Sequence, residues 1–408
     1  MSTPLNQTTL NDTHRKFGAT LVDFGGWEMP LWYPTGAVKE HLAVLSGAGL
    51  FDTSHMAVII VEGSGIRDFL NYAITKDISE LKLDRAGYGI ILDDQGFSVD
   101  DAVVYVLSED RFGLVVNAGM SAAVIAHMKK LPGGDQFVWT DLAGKLAKID
   151  IQGPASFKIL KPLIANSDQV FEKFPYFSFQ GDFDVSKSNI KLTDGTPILL
   201  SRTGYTGELG FEIFLSPEKA PSVFDMILEA GNQDGLIPCG LASRDSLRGG
   251  AVLALSHQDI GAWPFINTPW PWALPTAEDG TFTKDFYGRA ALEKVKATAD
   301  HTLAFVGFDP RKVDAHDAKV LLDGKEIGTV LTAVAEMAIG RVDGKIVGLG
   351  SENKPEGFSP KGLMCGFIKV NQPLALGALV TLKDNRRELK VEIVNDIRPA
   401  RSARRALK

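Results

Sequence analysis

One turn gathers three side chains suited to a polar, flat ligand. Residues 201–212, Ser-Arg-Thr-Gly-Tyr-Thr-Gly-Glu-Leu-Gly-Phe-Glu, set Arg202, Tyr205 and Glu208 among the glycines Gly204, Gly207 and Gly210. They offer a cation, an aromatic face and a carboxylate. Glycine tolerates positive φ and lets backbone approach a ligand closely. The alternative is an ordinary hairpin turn with a solvated Glu. Asp100 and Asp101 stand side by side before the apolar run 102–106. In extended chain their side chains point to opposite faces, so only one faces a given pocket. That argues against a paired-carboxylate site; a water-exposed pair at a strand entry is the alternative. Arg244 is a candidate ligand contact, or else a structural ion pair with Asp245 or another acid. The seven histidines, at 14, 41, 55, 127, 257, 301 and 316, lack metal-ligand spacing with Cys or acids, so no metal is expected. There is no Gly-x-Ser-x-Gly nucleophile turn. Cys239 has no evident activating base.

These residues need a frame. Residues 198–200 end one strand, and 211–215 alternate as the next. Residues 9–17 predict a short helix, and Thr35 a cap for the helix carrying Val38, Leu42 and Leu45. From residue 56 a β-α-β-β-β-α run predicts a helix-covered antiparallel sheet. Residues 263–275 hold three Trp and four Pro, which exclude regular helix. They read as a rigid crossing loop, sealing a domain junction or closing one side of a cleft. From His301 on, short strands with Gly turns predict a small barrel or sandwich. The expected class is α+β in three modules: residues 1–55 with 146–275, an insertion 56–145, and a linker helix with a β-rich domain 276–408.

At 408 residues the chain exceeds one compact core, and 45% apolar with 23% charged residues fits an ordinary soluble protein. Two cysteines argue for a reducing, cytoplasmic setting. A net charge of −7 gives no general attraction to nucleic acid, and no apolar run is long enough for a membrane span.

The turn at 201–212 resembles the Arg-Thr-Gly-Tyr-Thr-Gly-Glu signature of the glycine cleavage system T-protein family, tetrahydrofolate-dependent aminomethyltransferases. Five further segments are similar in the same order: 22–30 (Val-Asp-Phe-Gly-Gly-Trp-Glu-Met-Pro), 49–56 (Gly-Leu-Phe-Asp-Thr-Ser-His-Met), Asp100-Asp101 before Val103-Val104-Tyr105, Pro238-Cys239-Gly240-Leu241 running on to Arg248, and Phe286-Tyr287-Gly288-Arg289. The resemblance implies a central folate pocket. It gives Asp101 the catalytic place at the reacting folate nitrogens, with Tyr88 on the wall. Val103, Tyr105, Asn117 and Tyr205 follow as folate-binding positions. Glu208 is expected to accept two parallel N–H bonds from the pterin, Arg244 to meet folate or hold Glu208, and Arg398 to meet the folate glutamate. The implied partner is the lipoyl carrier (H-protein), and the basic residues Arg398 to Lys408 are expected to dock it.

The chain departs from the family where Leu-Glu-Ala-Gly and Tyr-Gly-Asn/His-Asp are usual. Gly249-Gly250-Ala251-Val252 and Ser256-His257-Gln258-Asp259 stand there instead. These changes fall on the expected donor side. They leave a tetrahydrofolate-dependent O-, N- or S-demethylase, or a non-catalytic folate-binding protein, as alternatives to aminomethyl transfer.

Overall fold

The computed structural model describes residues 4–407. Its first element of consequence is a five-stranded antiparallel sheet. The strands lie in the order Ala86–Leu92, Ser98–Ser108, Arg111–Val116, Ala57–Glu62, Val138–Asp141. Helices Ile66–Ala73 and Ser121–Lys130 cover one face, burying Leu70, Val124 and Met128 against Ile59, Val104 and Leu114. The other face presents Val58, Ile60, Tyr105 and Val115 to Phe179, Leu199 and Phe214 of a second sheet and to Phe183 in a loop beside it. Burial on both faces explains why the strand Ala57–Glu62 reads as a continuous apolar run.

The second sheet has six strands, ordered Phe179–Gln180, Ile198–Ser201, Gly210–Leu215, Ala147–Gln152, Gly49–Asp52, Ile237–Pro238. The last pair is parallel and the others antiparallel. A three-stranded sheet, Asn6–Gln7, Trp27–Trp32 and Thr20–Phe24, completes the N-terminal part. The predicted early helix spans Asn11–Lys16. Thr35 caps nothing: Gly36 is the cap of Ala37–Ser46, with no side-chain bond.

The C-terminal strands close into a six-stranded barrel, which leaves no open edge. Phe305, Val320, Ile368, Leu382 and Val391 fill it. Helix Leu241–Gly250 packs on the barrel strand Lys325–Glu336 through Gly249 and Gly250. A Cβ on Gly249 would stand 2.6 Å from Val334, and one on Gly250 2.0 Å from a carboxylate oxygen of Glu336. Where the family text has an acid at the second position, this chain has no side chain, and a barrel carboxylate takes the space.

The Trp/Pro loop is buried at one tryptophan and open at another. Trp270 is 1% exposed, with its ring edge-on to Phe367 at 5.1 Å and its indole N–H donating to the Val252 carbonyl at 2.9 Å. Two residues on, Trp272 is 54% exposed, its ring 5.2 Å from that of Tyr88.

Candidate active site

A cavity of about 2160 Å³ lies where these parts meet. Its wall includes Tyr88, Asp101, Val103, Asn117, Tyr205, Glu208 and Arg244, all expected from the sequence. The strand Ser98–Ser108 is set mid-sheet, so Asp101 and Val103 face the cavity. The Tyr88 hydroxyl donates to Asp101 Oδ2 at 2.7 Å, and the Asn117 amide donates to Asp101 Oδ1 at 2.5 Å. Burial, and then the charge of Asp100, push the Asp101 carboxyl up to about 6. Burial, and then the charge of Asp101, keep the Tyr88 hydroxyl protonated well above the usual range.

Asp100 shares the Asn117 amide with Asp101 and does not reach water. It is 0% exposed, and its oxygens accept from Asn117 N at 3.1 Å, Asn117 Nδ2 at 2.7 Å and Ser256 Oγ at 2.9 Å. Ser256, in the segment after helix Leu241–Gly250, closes over Asp100. The solvated-pair alternative therefore fails, and so does any view of Asp100 as inert.

Four other expectations change. Tyr105 shares its strand face with Asp101 and Val103, yet it lies beyond the cavity. Its hydroxyl meets Ser201 and Thr203, and its ring packs on Phe179, Phe183 and Phe214. Arg244 does not hold Glu208. It donates to Asp150 Oδ2 at 2.9 Å and lies over the Tyr205 ring at 5.2 Å. Arg398 is 3% exposed and is absent from the cavity wall. It donates to Glu208 Oε1 at 3.2 Å, to Glu336 and to the Thr206 carbonyl. Glu208 is thus already engaged. Its second oxygen accepts from Ser402 N at 3.1 Å and from Ser402 Oγ. A carboxylate has about four lone-pair sites, so one remains on Oε1 and two parallel bonds to a ligand are not available.

The basic tail expected to dock the carrier is partly built into the fold. Arg398 is buried, and Arg401 pairs with Asp396 at 2.7 Å and lines the cavity. Arg404 and Arg405 are exposed, and Lys408 lies outside the described residues.

The sequence reading missed a buried charged floor. Lys148 donates to Asp150 at 2.7 Å and Glu212 at 2.6 Å, and Asp150 also holds Arg244. The signal was present: Lys148, Asp150 and Gln152 recur at period two in a strand whose six residues are all buried. It also missed the brace between helix Ala37–Ser46 and the barrel. His41 meets Glu336 Oε1 at 2.6 Å, while Arg398 holds the other oxygen. Burial alone would raise the Glu336 carboxyl, but the charges of His41 and Arg398 override it and hold it at about 2.

Residues 10–263 match the family model for the GCVT N-terminal domain. The chain belongs to the GCVT family, that of the glycine cleavage T-protein. A relative from Listeria monocytogenes serotype 4a (strain HCC23) named aminomethyltransferase is 37% identical over 339 residues, 83% of this chain and 88% of the relative. Another of that name, from Geobacillus thermodenitrificans, is 35% identical over 80% of this chain and 86% of its own length. Among solved structures, the glycine cleavage system aminomethyltransferase T from Bartonella henselae superposes with a TM-score of 0.77. It is 27% identical, with 99% of this chain and 100% of that one covered. The T-protein architecture expected from the sequence, α+β with a C-terminal barrel, is the one observed.

Proposed function

We propose that the protein transfers an aminomethyl-derived one-carbon unit from an S-aminomethyl-lipoyl carrier protein to tetrahydrofolate, releasing ammonia. The carrying observation is the Tyr88–Asp101–Asn117 set on the wall of a large cavity. Two polar hydrogens fix the carboxylate there, one on each oxygen. The residues present fit a folate. Tyr88 and Trp272 offer two aromatic rings tilted 49° to one another, and Tyr205 a further ring backed by Arg244. Asp101 and the free lone pair of Glu208 can accept ring N–H groups. Arg401, Arg404 and Lys312 on the cavity wall favour an acidic tail.

When bound, tetrahydrofolate supplies the nucleophilic nitrogens. The protein supplies position and field. Asp101 is held at both oxygens, so its negative charge is oriented before reaction and stabilises positive charge developing on the one-carbon unit. Tyr88 keeps its proton and remains a donor to that carboxylate. The division into residues 1–55 with 146–275, 56–145 and 276–408 belongs to this proposal, with the acceptor bound among the three modules. Ammonia release from aminomethyl-loaded carrier, followed with and without tetrahydrofolate, is the test. Release that needs both protein and folate supports the reading; release indifferent to folate contradicts it.

A further inference from the structure

The segment after helix Leu241–Gly250 carries two non-glycine residues in the left-handed region, Val252 at φ 57° and His257 at φ 64°. A side chain with a Cβ is strained there, and such strain persists only where the surroundings fix it. They do. Arg248 pairs with Asp259, whose carboxylate also accepts from Leu255 N at 3.0 Å. The Tyr205 hydroxyl holds the Ala254 carbonyl, Trp270 holds Val252, and Ser256 donates to Asp100 at 2.9 Å. The pinned loop presents His257 on the cavity wall, with its side chain 48% exposed. Its Nε2 lies 3.7 Å from Asp100 Oδ1. Asp100 Oδ1, the oxygen nearest His257, accepts from Asn117 Nδ2 and Ser256 Oγ, while Oδ2 accepts from Asn117 N and keeps the one free lone-pair site.

We infer that His257 is a second acid–base residue of the transfer, serving the departing nitrogen of the donor, with the Asp100 carboxylate beside its ring. This rests on the aminomethyl-transfer reading. In the reaction the donor's C–S and C–N bonds break and two C–N bonds form on the acceptor. The acceptor's two N–H protons leave; one ends on the carrier sulfur and one on ammonia. His257 carries the second. Asp101 and His257 then flank Asn117 and Asp100, one serving the acceptor and the other the donor. The 3.7 Å separation is long for a hydrogen bond, as such contacts often are before substrate closes them.

The test compares wild type, His257→Gly and His257→Asn. Glycine and asparagine both accept the left-handed backbone, so both variants should fold, with thermal midpoints no lower than wild type. Turnover with carrier donor should fall about 10²-fold in both, with tetrahydrofolate affinity unchanged. Added imidazole should restore His257→Gly by about tenfold or more, which a structural loss would not allow. Turnover of His257→Gly close to wild type, or a loss that imidazole leaves untouched, overturns the role. A wild type that makes no ammonia from the carrier overturns the functional reading, and this role with it.

Discussion

Ser402 holds Glu208 from 194 residues away, with its backbone N–H at 3.1 Å and its hydroxyl both donating to Oε2. The same hydroxyl accepts from Leu209 N at 2.9 Å. The C-terminal segment is therefore part of the glycine-rich turn's frame. Ser402→Ala leaves Glu208 and Leu209 each short of a partner. It should lower stability by about 1–3 kcal/mol and weaken tetrahydrofolate binding in parallel. Urea unfolding and titration calorimetry check this. An unchanged unfolding midpoint with unchanged affinity would separate the tail from the site.

Asp101→Asn preserves shape and removes the charge. Turnover should drop about 10²–10³-fold, with a much smaller change in folate affinity. Asp100→Asn will not be silent. An amide cannot accept on both sides, so one of Asn117 N, Asn117 Nδ2 and Ser256 loses its acceptor. A stability loss of about 1–3 kcal/mol is expected alongside a rate defect. Steady-state kinetics and denaturation of both variants decide it; a fully normal Asp100 variant would contradict the structure's account of that carboxylate.

The pH dependence has two limbs of opposite sign. Asp101 titrates at about 6 in the folded protein, above an ordinary aspartate near 4. Between these values the folded state holds a proton that the unfolded state has lost. This group therefore favours folding as pH falls through that window and opposes it above about 6. Turnover needs the carboxylate and should rise through about pH 6. Glu336, held at about 2, does the reverse. Its stabilising effect is complete above the ordinary glutamate range and is lost as pH falls toward 2. Asp101→Asn should abolish the acid limb in rate, and Glu336→Gln should flatten the acid limb in stability. Limbs that persist in the variants would assign them to other groups.

Gly250 and a side chain at that position compete with Glu336 for one space. Gly250→Ala places a Cβ 2.0 Å from Glu336 Oε2 and 2.7 Å from Arg398. His41 and Arg398 hold that carboxylate from both sides, so it has little room to yield. A loss of about 1–3 kcal/mol in denaturant unfolding is expected, as for overpacking elsewhere. An alanine variant as stable as wild type would mean that the brace moves freely.

The local chemistry was legible in the sequence, and its long-range partners were not. The glycine turn stands out by spacing and composition between two strands, whereas Asp101 and Asn117 were marked by the family resemblance. Alternation put Asp100 and Asp101 on opposite faces, yet both carboxylates accept from the one Asn117 Nδ2. It could not say that Ser256, in the segment at 251–259, closes over Asp100. Tyr105 is in phase with Asp101, but the same strand face passes from cavity to sheet junction within four residues. Arg398 resembled a ligand residue because its partners, Glu208 and Glu336, lie 190 and 62 residues away. No local pattern reveals such a pairing. Gly249 and Gly250 read as losses until the barrel strand was seen to pack against them.

The most direct measurement is the identity of the folate product. Wild-type protein, tetrahydrofolate and carrier loaded with a ¹³C-labelled aminomethyl group are mixed, and the label is followed by NMR while ammonia is counted. The account predicts label in 5,10-methylenetetrahydrofolate, with ammonia formed in equal amount. Label appearing as 5-methyltetrahydrofolate, or remaining on the carrier, would contradict it.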